Sequence, residues 1–184
     1  MSDARIKIPA ELFATAESSR FEGELELEKL SVGADDLAFD APLPWQVEVT
    51  NTDGALLVLG SVRARAKTQC ARCLEDMDLD LDGEIEGWFL LSDEDVRPED
   101  VDEDEIWILP ADHIIDLQPL IQAALMLDMP NMPLCRPDCA GLCPQCGANL
   151  NEGACGCGED PELAAFEKAA NPFAALADFD FGTE

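Results

Sequence analysis

Eight cysteines, grouped in four closely spaced pairs, are the residues of this chain best suited to chemistry. The pairs are Cys70-x2-Cys73, Cys135-x3-Cys139, Cys143-x2-Cys146 and Cys155-x-Cys157. Two thiolates on one tight turn can bind the same tetrahedral ion, and a second pair completes a structural zinc site. The run Cys143-Pro144-Gln145-Cys146-Gly147 is typical of a zinc-ribbon knuckle, because Gly tolerates the positive φ that lets backbone amides reach the sulfurs. The spacing predicts one or two structural Zn²⁺ sites, each with four cysteine ligands.

The knuckle and the pair that follows it predict one compact site, formed by Cys143, Cys146, Cys155 and Cys157. The other two pairs would meet across the fold, forming a site from Cys70, Cys73, Cys135 and Cys139. Buried thiols, a single shared ion and Fe–S ligation stay open as alternatives. Catalytic zinc is disfavoured, because four cysteines leave no open coordination position.

The composition restricts the possible functions. The chain has 184 residues, 40 acidic and 11 basic, a formal charge of −29 and a single histidine, His113. Its 47% hydrophobic content is enough for a core. A single imidazole disfavours a catalytic triad and a histidine-rich metal site. We expect His113 to be a loop residue. The acids at 93–105 show no two-metal pattern, so a nuclease is disfavoured. We predict that the protein is not an enzyme and does not wrap nucleic acid.

No segment of the sequence indicates a membrane or secretory location. Residues 1–10 lack an apolar signal region, and the apolar run at 120–127 is too short to span a bilayer. We therefore expect a cytoplasmic protein whose cysteines are thiols or metal-bound thiolates.

Alternating apolar and acidic residues at 21–30 and 45–50 predict half-buried strands, and 55–69 and 74–91 read as longer ones. We expect an antiparallel sheet of about four or five strands. A helix at about 116–128, capped by Asp116, should follow.

The fold class is therefore α+β. It is mainly an antiparallel β-sheet with a CxxC-tipped hairpin, one central helix, a Cys-rich zinc-ribbon-like segment and a short C-terminal helix after residue 160. Residues 1–134 should form the sheet domain. Residues 135–184 should form a Cys-rich zinc-binding segment, with a short helix and tail packed on it.

The hairpin contains the main concentration of basic residues, which alternate on one strand face. If Cys70 faces Cys73, the pairs are Lys67 with Asp76, Arg65 with Asp78 and Arg63 with Asp80. This charge ladder is favoured over an RNA-binding strip, which stays open. Arg72, at the tip, is predicted to be free.

Four stretches resemble one known family. Residues 70–73 are similar to its C-x-R-C element, and residues 112–121 to its helix start "IDL.PL". Residues 134–151 resemble its signature "LC..DC.GLCP.CG..LN", and residues 171–176 its C-terminal "NPFA.L". The family is YceD, the large ribosomal RNA subunit accumulation proteins, also described as metal-binding.

The resemblance implies a role in the synthesis, processing or stability of 23S rRNA. Family genes commonly neighbour rpmF, whose product is a small basic large-subunit protein and a suspected partner. We expect a non-catalytic ribosome biogenesis factor that binds a basic ribosomal protein, or a large-subunit precursor particle, through an acidic surface. The alternative is a zinc-dependent module that contacts 23S rRNA directly through Arg72 and Arg136. Neither reading includes a small-molecule substrate.

Overall fold

A computed structural model of the protein describes residues 4–33, 35–92 and 106–157. The chain divides into two compact units. The first contains residues 1–71 and 75–135, and the second contains residues 72–74 and 136–184. The C-terminal helix expected after residue 160 and the acidic run at 93–105 lie outside the described residues.

The first unit contains nine strands, one 3₁₀ helix and one α-helix within its described residues. In chain order they are β1 (Arg5–Lys7), the 3₁₀ helix (Ala10–Phe13), β2 (Ser18–Leu25), β3 (Lys29–Val32), β4 (Asp35–Phe39), β5 (Leu43–Asn51), β6 (Ala55–Gln69), β7 (Asp76–Leu90), β8 (Ile106–Ile108), β9 (Ile114–Asp116) and α1 (Gln118–Asp128).

Strand β6 organises the main sheet. Along one edge it pairs first with β5 and then with β4, and along the other it pairs with the whole of β7. Strands β2 and β3 extend the sheet beyond β5 and β4, all antiparallel, while β8 joins β7 in parallel. Within the described ranges this sheet has seven strands, more than the four or five expected, and β1 and β9 form a separate pair. The mainly antiparallel α+β class is confirmed.

Helix α1 covers the inner face of the sheet by packing on β7. The helix buries Leu120, Ile121, Ala124 and Leu125. Gly83 and Gly87 allow this close approach, because a Cβ on Gly83 would lie 2.8 Å from the carbonyl of Ala124. A Cβ on Gly87 would lie equally close to the Leu120 side chain.

The helix begins two residues later than the sequence suggested. Asp116 ends β9, and its carboxylate accepts a hydrogen bond from the Gln118 backbone N–H at 3.0 Å. Pro119 lies in the first turn, where its missing N–H costs nothing. Asp116 therefore lies outside the helix but still accepts a hydrogen bond from a backbone N–H of the first turn, which has no partner within the helix.

The register of the β6–β7 hairpin differs from the prediction by two residues. The observed pairs are Lys67 with Asp78, Arg65 with Asp80 and Arg63 with Asp82. The turn is wider than expected, because the Cys70 N–H donates to the Glu75 carbonyl at 2.9 Å and Leu74 adopts a φ of +59°. A shift of two residues keeps every side chain on its predicted face, so both the charged and the apolar faces survive.

The basic strip is paired with acids, as expected, although two of its three partners change. Arg65 keeps its predicted partner Asp78, at 3.0 Å, and also contacts Asp80 at 3.9 Å, whereas Arg63 contacts Asp82, at 3.7 Å, in place of Asp80. The expected partner of Lys67 was Asp76, but Lys67 instead pairs with Asp40 in the loop after β4, and this hydrogen bond raises the pKa of the lysine. These pairs are exposed, so each contributes little to the stability of the folded chain.

Candidate metal centres

The eight cysteines lie in two groups of four, the same groups that the spacing predicted. Group A contains Cys70, Cys73, Cys135 and Cys139, and group B contains Cys143, Cys146, Cys155 and Cys157. Within each group all sulfur atoms lie within 4.8 Å of one another. Tetrahedral zinc with Zn–S bonds of about 2.3 Å places its sulfurs roughly 3.8 Å apart. The donor type and the spacing therefore fit, and each group could bind a metal ion.

Group A begins at the tip of the β6–β7 hairpin. The Ala71 N–H donates to the Pro133 carbonyl at 2.8 Å, which fixes the tip beside the chain that leads to Cys135. Cys70, Cys73 and Cys139 are at most 4% exposed, while Cys135 is exposed. Three of the four sulfur-bearing side chains are thus shielded from water.

Group B is built on the knuckle. The Gly147 N–H donates to the Cys143 carbonyl at 2.9 Å, and Gly147 has the predicted positive φ, +73°. Backbone N–H groups of Cys146 and Gln145 point at the Cys143 sulfur and lower the pKa of its thiol to about 6. Hydrogen bonds to two sulfurs, those of Cys146 and Cys155, raise the pKa of Cys157 to about 12. One thiolate is thus stabilised by the backbone, and the crowded thiols cannot all ionise unless a cation compensates the charge.

Arg72 is not free, contrary to the prediction. Its Nη1 donates to the Cys139 carbonyl at 3.0 Å, and its own carbonyl accepts from the Leu142 N–H at 3.2 Å. Gly141 has a φ of +75°, and a Cβ there would lie 3.1 Å from the Arg72 carbonyl oxygen. Arg72 therefore holds the chain around Cys139, and glycine is needed where this chain passes it.

Sequence reasoning missed Asn151. Its Nδ2 donates to the Cys139 sulfur at 3.4 Å and to Asn149 Oδ1 at 2.8 Å. The available signal was the Asn149-x-Asn151 pattern, since asparagine side chains bond their neighbouring backbone in turns. That pattern predicts a turn but does not identify the sulfur as a partner.

His113 belongs to neither cysteine group. It lies in an exposed turn with a φ of +57°, and its ring centroid is 4.9 Å from that of Phe13. Its backbone carbonyl accepts from the Ile8 N–H at 2.9 Å. This position agrees with the loop role expected for it.

Residues 58–180 match the family described as the large ribosomal RNA subunit accumulation protein YceD. The chain belongs to the YceD family. All eight cysteines lie inside the matched segment, and family membership supports a role connected with the ribosome.

Uncharacterized proteins of Mycobacterium tuberculosis and Mycobacterium bovis are each 36% identical to this family member over 121 residues. Those matches cover 65% of the chain and 58% of each relative. An uncharacterized protein of Mycobacterium leprae is 29% identical over 114 residues, covering 62% of the chain and 52% of the relative. The chain thus matches little more than half the length of these curated relatives. No solved structure matches it significantly. Among the described residues, no helix is long and apolar enough to cross a membrane.

Proposed function

We propose that this protein is a non-catalytic ribosome biogenesis factor that supports the synthesis, processing or stability of 23S rRNA. It acts by binding a basic large-subunit ribosomal protein, with the rpmF product as the suspected partner, or a large-subunit precursor particle. Family membership supports the ribosomal role. The observation that carries the mode of binding is the acidic outer face of the sheet.

Rows of residues across β2, β5, β6 and β7 define that face. One row is Glu22, Gln46, Ser61 and Glu84, and the next is Arg20, Glu48, Leu59 and Glu86. Cross-strand partners share a face, so these side chains lie together. We call Glu22, Glu24, Glu48, Glu84 and Glu86 the acidic face.

The acidic face is less compensated than the basic strip beside it. Glu84 and Glu86 stand opposite Ser61 and Leu59, and Glu22 stands opposite Gln46. Among the described cross-strand partners of these five acids, the one cation is Arg20, which lies 3.5 Å from Glu48. A cavity of about 580 Å³ lies beside Leu59, Ser61 and Glu84. Its lining combines three acids, Asp82, Glu84 and Glu86, with one cation, Arg63, and with the apolar side chain of Leu59. The excess of acids and the apolar contact suit a lysine or arginine side chain, whose stem is apolar and whose tip is charged.

The proposal includes structural zinc in both groups, with Cys70, Cys73, Cys135, Cys139, Cys143, Cys146, Cys155 and Cys157 as ligands. Four thiolates suit zinc, and the ion would cross-link the chain segments that carry them. Four protein ligands leave no position for water or substrate, which supports a scaffolding role. The boundary predicted between the sheet domain and the Cys-rich segment, after residue 134, stays a prediction. The cytoplasmic location also stays a prediction.

Direct RNA contact has weaker support. Arg72 is engaged with the Cys139 carbonyl, and Arg136 contacts Asn151 at 2.6 Å and Asp138 at 3.6 Å. RNA phosphates would have to compete with these groups and with the acids that pair with Arg63 and Arg65. The basic residues of the hairpin and of the Cys139 region are thus already used within the chain.

Binding of the purified rpmF product, measured across a salt series, tests the proposal. The variant Glu22→Lys/Glu84→Lys/Glu86→Lys should weaken binding by about tenfold or more. The matched control Glu11→Lys/Glu17→Lys/Glu26→Lys changes the charge equally at exposed positions outside the five residues of the acidic face, and should lose much less affinity. Equal losses would show that only net charge matters. Tight binding to naked 23S rRNA without any ribosomal protein would favour the alternative, and turnover of rRNA would contradict the non-catalytic role.

A further inference from the structure

A short paired segment joins the surroundings of Cys139 to the knuckle of group B. Residues 142 and 149 form an antiparallel bridge, and the Leu150 N–H donates to the Gly141 carbonyl at 2.9 Å. The Cys143 N–H donates to the Ala148 carbonyl at 2.8 Å at the knuckle end. The chain therefore runs from Cys139 to the knuckle and returns to Asn151 beside Cys139.

Every polar atom of the Asn151 side chain has a partner at that end. Oδ1 accepts from the Ala140 N–H at 2.8 Å and from Arg136 Nη2 at 2.6 Å. Nδ2 donates to Asn149 Oδ1 and to the Cys139 sulfur. The Asn151 backbone N–H also donates to Asn149 Oδ1, at 3.0 Å. These bonds fix one rotamer and aim one N–H at a group A ligand atom.

An N–H that donates to a thiolate disperses its charge and orients the sulfur, and losing such a partner typically weakens metal binding about 10–100-fold. Asn151 also lies between the Cys146 and Cys155 ligands of group B. An ion at group B would hold both ends of the segment that contains Asn151. Ordering that segment in advance reduces the entropy cost of placing Nδ2 against the Cys139 sulfur.

We propose that Asn151 is a positioning residue that couples the two cysteine groups, so that a metal ion at group B raises the affinity of group A. The coupling is reciprocal, because each site must change the other by the same factor. This inference rests on the proposed metal binding.

The first test removes the N–H from the sulfur. Asn151→Asp keeps an acceptor for Arg136 and Ala140 but has no N–H to donate, whereas Asn151→Ala removes both functions. Competition with a chromophoric chelator should show Zn²⁺ bound at group A about tenfold more weakly in both variants. The neighbouring exposed variant Glu152→Gln is the matched control and should bind Zn²⁺ like wild type. Unchanged group A affinity in Asn151→Asp would overturn the role of the N–H.

A spectroscopic readout separates this role from general destabilisation. The ¹¹³Cd-loaded protein should give one resonance for each group, assigned with Cys73→Ser and Cys146→Ser. In Asn151→Asp the group A resonance should shift more than the group B resonance. Shifts confined to group B would contradict the proposal.

The second test measures the coupling. Disabling group B with Cys146→Ser/Cys155→Ser should weaken Zn²⁺ binding at group A about fivefold or more, within the usual range of coupling between sites. In the Asn151→Ala background the same change should have little further effect. Additive losses would overturn the coupling while leaving zinc binding intact. Failure of the wild-type protein to bind Zn²⁺ would instead overturn the proposed metal sites themselves.

Discussion

The two cysteine groups have the same ligand type and compactness but differ in how they are assembled. Group A joins Cys70 and Cys73 of the hairpin tip to residues more than 60 positions later, and three of its cysteines are buried. Group B comes from the 15 residues between Cys143 and Cys157, and only Cys143 is buried. An ion at group A would close a long loop and stabilise the folded chain, whereas one at group B would order a short exposed segment.

Ligand number alone does not determine what a metal site contributes to stability. Closing a loop constrains the unfolded chain more as the loop lengthens, and burial protects the sulfurs from competing reagents. An ion at group A should therefore contribute more to the free energy of unfolding, and group B should exchange its ion more readily.

The largest expected difference is between Cys73→Ser and Cys146→Ser. Each should lose one equivalent of zinc, but the cross-link that closes the long loop should contribute about 4 kcal/mol and the short one about 3 kcal/mol. The hydroxyl introduced at position 73 would also be a polar group in a buried position, which adds to that cost. Chemical denaturation with metal analysis measures both quantities. Loss of the same single equivalent in both variants would contradict two sites.

The next effect tests whether stability and metal content can be separated. Gly83→Ala should lower the free energy of unfolding of the sheet by about 1–3 kcal/mol, because its Cβ would meet the Ala124 backbone. Two equivalents of zinc should remain bound. Glu84→Ala, the exposed neighbouring substitution, serves as the control. Loss of zinc from group B in Gly83→Ala would show that the two properties are linked.

The difference in exposure predicts an order of metal release. With excess thiol-reactive reagent, the ion at group B should be released about tenfold faster than the ion at group A. Each group has one exposed cysteine, Cys146 or Cys135, but the other three of group A are buried, whereas Cys155 and Cys157 of group B are half-buried. A zinc-sensitive dye should record two phases. In Cys146→Ser the fast phase should disappear, and a single phase in wild type would argue against different accessibilities.

The smallest effect concerns the charge ladder beside group A. Arg63→Asp should destabilise the hairpin by about 0.2–1 kcal/mol, and the swap Arg63→Asp/Asp82→Arg should restore most of that loss. The swap should leave zinc content and partner binding unchanged. Partner binding lost in both variants would indicate that Arg63 itself makes the contact.

Much of the architecture followed from local pattern. The apolar run after the turn at residues 51–54 predicted an extended segment at 55–69, where the structure places β6. Cysteine spacing predicted the four close pairs and the compact group B, since residues on one turn are close whatever the rest of the fold does. The expectation for group A combined the two remaining pairs, and the fold brings them together. The single strand predicted at 21–30 is wrong, because the structure divides this segment between β2 and β3. Sequence reasoning also missed β4, since so short a segment carries little periodic signal.

The faces of the strands, the knuckle of group B and the closeness of the two cysteines within each pair follow from the sequence alone, because each depends on residues a few positions apart. Only the tertiary structure decided the hairpin register, through the Cys70–Glu75 closure, and the choice of Asp40 as the partner of Lys67. It also decided that Arg72 and Asn151 hold Cys139. Hydrogen-bond partners of this kind are selected by the path of the chain in space, which side-chain periodicity does not encode.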